Sequence, residues 1–268
     1  MKKIISRIFL MLIAALAAAY IIYQLYGWEF AVRKYKDHLI EQMQTEHNQQ
    51  FAPGEKLVYT CRYLGIPSGK AIFYVNDIGE YKGREVYVFS GWARTSDFIS
   101  LFFEMQGWVK SYVDRDRLHS LYFEEASQAA GHRKNQKVIV YNQAELYLEV
   151  EDERVDILPD THDPLGVFYR IRLLEREELA SGATLNIKSR KRDRYLYLEM
   201  EKEEKLETPF GDIDTIKVFF HLKPVEATAR HEASGEVWYT DDNKRIPILL
   251  KAKTKAGPIS IRLLDMQL

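Results

Sequence analysis

From Lys56 onward, apolar and polar side chains alternate with period two, and clusters of turn residues break the alternation at short intervals. Successive side chains of a strand point to opposite faces, so this spacing builds half-buried strands rather than helices with one apolar stripe. Leu57, Tyr59, Cys61 and Tyr63 alternate with Lys56, Val58, Thr60 and Arg62. Gly65-Ile-Pro-Ser-Gly69 then turns the chain into Lys70–Asn76, where Ala71, Phe73 and Val75 share a face. The same reading predicts strands at Glu85–Ala93, Gly107–Val113, Leu118–Phe123, Lys137–Tyr141 and Glu145–Val150. In the second half it predicts Thr184–Ser189, Arg194–Leu206, Ile213–Leu222, Gly235–Thr240, Arg245–Lys253 and Ile259–Leu264. Thr208-Pro-Phe-Gly-Asp212 and Asp241-Asp-Asn-Lys244 read as hairpin turns. No long helical pattern alternates with the strands, which argues against parallel α/β folds.

Two helices interrupt the strands. Phe98, Leu101, Phe102 and Met105 recur at helical spacing after Asp97 and end at Gly107. The second helix is better signed: Asp163 suits an N-cap, Pro164 the first helical position and Gly182 the stop. An antiparallel sheet of many strands must hide its edges or curl. The expected fold is therefore mainly β: one strongly curved antiparallel sheet or an incomplete β-barrel with two short helices, preceded by an N-terminal transmembrane or signal helix.

The amino terminus sets the expected location. After Lys2, Lys3 and Arg7, an apolar run extends from Ile8 to Tyr23, and only Gln24 and Gly27 break it before Trp28. As a helix, residues 8–28 would measure roughly 30 Å, the thickness of a bilayer's hydrocarbon core. Residues 1–28 read as a signal anchor, with a signal peptide cleaved after Ala19 as the alternative reading. Leading basic charge keeps that end in the cytoplasm by the positive-inside rule. Apolar residues at Val32, Tyr35, Leu39 and Met43 make residues 29–50 a helical stalk, and residues 51–268 form one exported β-rich domain. The expectation is a bacterial envelope protein, anchored in the inner membrane with its domain in the periplasm, or released to the periplasm if cleaved.

Chemistry-bearing motifs are sparse. With 38 basic and 39 acidic side chains, the chain lacks the basic excess of a nucleic-acid binder. Its single cysteine, Cys61, excludes an internal disulfide framework and reads as a buried, inert thiol. The sequence contains no Gly-x-Ser-x-Gly elbow, phosphate-binding glycine loop or His-Glu-x-x-His, and the spacing of His162, His221 and His231 does not suggest metal ligation. No catalytic residue, metal site or cofactor is expected. Glu199-Met-Glu-Lys-Glu-Glu204 reads as a solvated strand end, and the basic stretch Lys188–Arg194 as a hairpin tip that can also meet anionic headgroups.

The ordered set Phe51-Ala-Pro-Gly-Glu-Lys-Leu-Val-Tyr59, Gly65-Ile-Pro-Ser-Gly-Lys-Ala71, Asp163-Pro-Leu-Gly-Val-Phe-Tyr-Arg170, Thr208-Pro-Phe-Gly211 and Trp238-Tyr-Thr-Asp-Asp-Asn-Lys-Arg-Ile-Pro247 resembles the exported bacterial family catalogued as domain of unknown function 3108. The resemblance spans nearly all of residues 51–268 and implies an envelope location and a largely antiparallel β fold, with no established activity. Gly166 stands where the family pattern leads one to expect a small polar residue.

The function expected is non-enzymatic binding of an apolar or amphipathic ligand, such as a lipid or lipid-linked glycan. It rests on strands apolar on both faces: Val86 and Val88 oppose Tyr87 and Phe89, while Ile246, Ile248 and Leu250 oppose Leu249. The alternatives are a scaffold or adaptor for an envelope partner and, more remotely, an envelope hydrolase. Candidate ligand contacts are Phe98, Phe102, Phe103, Trp108, Tyr169, Arg170 and Trp238. Expected partners are the membrane, through the N-terminal helix, and a lipid or an envelope protein.

Overall fold

The computed structural model describes residues 51–101, 104–129, 135–189, 192–224, 232–254 and 257–268. The expected anchor (residues 1–28) and helical stalk (residues 29–50), Phe102, Phe103 and two residues of the Lys188–Arg194 stretch lie outside the described residues.

In chain order the elements are β1 (Lys56–Tyr63), β2 (Ile66–Tyr81), β3 (Arg84–Thr95), α1 (Asp97–Ser100), β4 (Met105–Asp114), β5 (Ser120–Ala129), β6 (Asn135–Asn142), β7 (Tyr147–Val150), β8 (Glu153–Asp156) and β9 (Thr161–His162). There follow α2 (Pro164–Ile171), α3 (Arg176–Ser181), β10 (Ala183–Ser189), β11 (Arg192–Thr208), β12 (Gly211–Pro224), β13 (Ala233–Thr240), β14 (Pro247–Thr254) and β15 (Gly257–Gln267). All fifteen strands form one open sheet in the order β8-β7-β6-β5-β4-β3-β2-β1-β15-β14-β13-β12-β11-β10-β9. Neighbours in the sheet are neighbours in sequence except β1 with β15, which joins the two ends of the described chain. Among the described pairings, all are antiparallel apart from β9 with β10. The edge strands β8 and β9 are separated by only residues 157–160, and side chains link the two edges. Lys188 Nζ on β10 donates to the Asp156 carbonyl at 2.5 Å, and the Tyr141 hydroxyl on β6 donates to the Lys188 carbonyl at 2.7 Å.

Of the described residues, 51–205 and Asp214–Leu268 group as one compact unit, and the hairpin tip Leu206–Ile213 belongs to another. Within the tip, the Thr208 hydroxyl donates to the Gly211 carbonyl at 2.7 Å and accepts the Phe210 amide at 3.1 Å, and Gly211 takes a φ of 107°. Only glycine adopts that φ readily, so Thr208-Pro-Phe-Gly211 is a side-chain-latched turn.

The core of the main unit forms two clusters, and α2 contributes to both. Leu165 and Tyr169 join Phe51, Val75, Phe89, Val113, Phe123 and Ile139. Val167, Ile171 and Leu174 join Leu185, Leu198, Ile216, Val218, Val237 and Tyr239. A helix apolar on opposite sides must be covered on both, and in α2 Leu165, Gly166, Val167, Tyr169 and Ile171 are buried.

Three corrections to the sequence reading concern the helices. There are three described helices rather than two. The first is a single turn, because Thr95 Oγ1 accepts the Met105 amide at 3.1 Å and donates to the Met105 carbonyl at 3.3 Å. That clasp starts β4 at Met105 and makes Gly107 a strand residue instead of a helix stop. The segment from Asp163 to Gly182 is interrupted at Arg172–Glu175. There Arg172 reaches to Glu55, Arg245 donates to the Leu174 carbonyl, and a Glu175–Glu178 capping box restarts the chain as α3. Leu118 and Leu146 have positive φ values of 62° and 57°, so the strands predicted to include them start later. The short strands β8 and β9 went unread.

Candidate functional site

Register converts local alternation into rows of side chains across the first half of the sheet. One row on the core face runs Val75, Phe89, Ser111, Phe123 and Ile139 over β2 to β6. Toward the β1–β2 turn, the next row is Phe73, Gly91, Val109, Glu125 and Lys137, and the one after is Ala71, Ala93, Gly107, Ser127 and Asn135. The face thus grades from large apolar side chains to small ones within two rows. A cleft of about 260 Å³ lies where the small residues leave room, floored by Phe73, Gly91 and Val109 and flanked by Ser127 and Asn135. Gly91 has no room for a side chain, and Gly107 is closely approached. A Cβ on Gly91 would meet Phe73 and Val109 side chains at 2.9 and 3.0 Å, and one on Gly107 would meet the Ala126 carbonyl at 3.1 Å. Within the cleft's middle row, Lys137 Nζ pairs with Glu125 at 3.3 Å, giving an apolar floor one polar side. That volume is just below the ~300–1,000 Å³ of typical small-molecule sites and suits part of an acyl chain or a single ring.

Beneath the cleft sits the aromatic core. Tyr169 stacks on Phe89 with ring centroids 3.7 Å apart, and Phe168 stacks on Phe73 at 4.7 Å. Arg172, fully buried, makes a bidentate pair with Glu55 at 2.6 and 2.9 Å and donates Nε to the Lys244 carbonyl at 3.0 Å. Its guanidinium lies 5.0 Å from the Phe51 ring centroid, so the buried cation has carboxylate, carbonyl and π partners together. Against the cost of burial, the Glu55 charge holds the guanidinium's pKa above its ordinary value. The Tyr169 hydroxyl is buried with no hydrogen-bond partner among the described residues, and burial pushes it well above the usual tyrosine range.

A second buried polar cluster carries α2. Asp163 Oδ1 accepts the Leu165 and Gly166 amides at 2.7 and 2.8 Å, and Oδ2 accepts the Ser111 and Ser120 hydroxyls at 2.5 Å each. Ser120 Oγ also accepts the Asp163 amide at 2.8 Å. Burial raises the Asp163 pKa, while these four donors pull it down. His162 beside it is held at about 3, by burial first and then by the charges of Arg170 and His119. With Ser120 engaged by Asp163 as both donor and acceptor, the group is a closed helix mount.

The sequence-derived contacts do not converge on one place. Trp108 stands opposite Trp92 on β3, in the row that alternates with those lining the cleft, so its side chain belongs to the other face of the sheet. Phe98, on α1 at the same end of the sheet, is 55% exposed. Tyr169 lies in the core under the cleft, and Arg170, at the end of α2, is half-buried. Trp238 is buried on β13, with Lys217 and Lys251 at 5.3 and 5.1 Å from its ring and its indole N–H donated to Glu204 at 2.6 Å. It pairs across the strands with Leu249. Protein therefore covers the doubly apolar strand β14 at this point. Phe102 and Phe103 lie outside the described residues. The Glu55–Arg172 pair and the row of small residues had no local signal in the sequence. Gly166, noted as a departure from the family pattern, is demanded here, since a Cβ would sit 2.7 Å from Ser120 Oγ and 3.0 Å from Asp163 Oδ2.

Among the described residues, no group of three or more His, Cys, Asp and Glu is placed to hold a metal ion. None of the described helices is long and apolar enough to cross a membrane.

A sequence-ordered antiparallel sheet packed around an internal helix defines a mainly β protein of barrel-like kin. Its fold is similar to that of the β-barrel-like protein of domain of unknown function DUF1849 from Brucella abortus, with a TM-score of 0.53 at 7% identity over 81% of this chain and 98% of that one. The chain belongs to the family described as protein of unknown function (DUF3108), whose model matches residues 58–264. Fainter likenesses are to a protein from Parabacteroides distasonis provisionally described as a lipoprotein (TM-score 0.38, 12% identity, 83% of this chain and 100% of that) and to one from Bacteroides fragilis provisionally described as exported (0.36, 13%, 81% and 97%). No curated protein matches the sequence.

Proposed function

We propose that this protein is a non-enzymatic envelope protein that binds an apolar or amphipathic ligand, such as a lipid or lipid-linked glycan, in the cleft at the small-residue end of β2–β6. The observation that carries this reading is the grading of one continuous sheet face from Phe89 and Phe123 to Gly91, Ala93 and Gly107. Phe73 and Val109 fill the place a side chain at Gly91 would take, whereas around Ala71, Ala93 and Gly107 the face stays open. Sheet topology supports an incomplete barrel around the cleft. Fourteen strand spacings would hold the edges of a flat sheet roughly 67 Å apart, yet residues 157–160 can bridge only about 18 Å. The envelope location rests on the apolar run of residues 8–28 and its leading basic charges.

The test is native extraction of the full chain followed by mass spectrometry for co-purifying lipid, with cis-parinaric acid as a binding probe. Ala93→Trp places an indole in the cleft and is expected to weaken probe binding about tenfold, a loss of roughly 1.4 kcal/mol, with the melting temperature unchanged. Parental affinity in a folded Ala93→Trp variant would refute the cleft as the site.

A further inference from the structure

Antiparallel pairing sends the β1–β2 turn, the β3–β4 connection and the β14–β15 turn to one end of the sheet. The five most exposed large apolar side chains among the described residues all lie there. Leu64 is 57% exposed, Ile66 49%, Phe98 55%, Leu101 78% and Met105 47%. They form one neighbourhood, because the Ser96 hydroxyl and amide, at the N-cap of α1, donate to the Pro67 and Ser68 carbonyls at 3.0 and 2.9 Å. The Leu64 amide, in turn, donates to the Pro258 carbonyl at 3.1 Å. Water-facing apolar tips of this size mark a contact surface.

The charges beside the tips identify its partner. Lys70 and Arg94 stand directly opposite each other on β2 and β3, both exposed. Like charges in that position destabilise a strand pair unless an anion lies near them. Arg62 and Lys253, also exposed, flank the same end, against the acids Asp97 and Glu104. Arg94 further lies 5.7 Å from the Trp92 ring centroid, an aromatic-cationic pairing suited to a headgroup layer. The chain itself leads to a membrane: residues 29–50 follow the apolar run and can reach up to about 75 Å, so they can place either end of the sheet against the bilayer.

We propose that this end docks on an anionic lipid bilayer, with Leu64, Ile66, Phe98, Leu101 and Met105 entering the interface and Lys70 and Arg94 meeting the lipid headgroups. Docking would put the mouth of the cleft at the lipid surface, but the proposal does not require the cleft to be occupied.

The experiment uses the full chain with Cys61→Ser, reconstituted in vesicles of equal parts phosphatidylglycerol and phosphatidylethanolamine. A nitrobenzoxadiazole label is attached to a single new cysteine at position 64, 101 or 146. Labels at Leu64→Cys and Leu101→Cys are expected to be quenched by doxyl lipid, and the label at Leu146→Cys, at the opposite end of the sheet, is not. Replacing phosphatidylglycerol with phosphatidylcholine, or making Lys70→Gln or Arg94→Gln, is expected to lower the docked-to-free ratio about fivefold per charge removed. Equal quenching at all three positions overturns the proposal. So does a blue shift at positions 64 and 101 that doxyl lipid does not quench, which would report burial against a protein or a second copy. Failure of cis-parinaric acid to bind would sink the cleft reading and leave these label readouts unmoved.

Discussion

Removing the Asp163 carboxylate tests whether α2 is mounted by a simple cap or by a buried cage. A cap alone predicts that Asp163→Ala costs ~0.5–2 kcal/mol and that Asp163→Ser restores most of it. The structure predicts otherwise. The carboxylate is fully buried and receives four hydrogen bonds, two from α2 amides and two from serines on β4 and β5. Alanine strands all four donors away from water, and at ~1 kcal/mol each the loss is about 4 kcal/mol. Serine reaches the two amides but leaves Ser111 and Ser120 unmatched, so it should recover only about half. Asparagine keeps an oxygen for the amides and offers its NH2 to the two hydroxyl oxygens, which can rotate to accept it. The expected order of stability is therefore parent, Asn, Ser, Ala, read from urea unfolding followed by tryptophan fluorescence. A Ser variant as stable as the Asn variant, or an Ala variant within about 1 kcal/mol of the parent, would show that the serine contacts contribute nothing.

Glu55→Gln should cost ~3–5 kcal/mol by leaving the buried Arg172 charge uncompensated, whereas Glu55→Leu with Arg172→Met should melt close to the parent in calorimetry. Gly166→Ala should destabilise by ~1–3 kcal/mol despite alanine's better helix propensity, since the added methyl meets Ser120 Oγ; a stabilised variant in the same urea assay would contradict the close approach. His162 has a pKa depressed to about 3 in the folded state, so the unfolded chain binds its proton first as pH falls. The stability it supplies is complete above ~pH 6.5 and is lost progressively below it, by about 2 kcal/mol between pH 6.5 and pH 5. Urea midpoints for parent and His162→Gln at those two pH values isolate that loss, and parallel declines in both proteins would refute it.

Strand positions were legible in the sequence because period-two alternation and turn chemistry are local. Leu57 through Tyr63, the turn at Thr208-Pro-Phe-Gly211 and the Asp163-Pro164 start of α2 each carry their signal within a few residues. The family resemblance was legible for the same reason, in short motifs kept in order. What the sequence could not show is which residues become neighbours. Glu55 meets Arg172 across 117 positions, and the cleft is a row drawn one residue at a time from five strands, Ala71 to Asn135. Register, not local pattern, sets Trp238 opposite Leu249 and between two lysines. The aromatic run after Asp97 looked helical until Thr95 clasped Met105 and left a single turn. Alternation decides which face of a strand a side chain occupies, but a slip of two residues in register preserves every face and changes every cross-strand partner. Local pattern thus determined most of the strands and their apolar faces. Pairing, burial and the meeting of distant charges were decided only when the sheet assembled around α2.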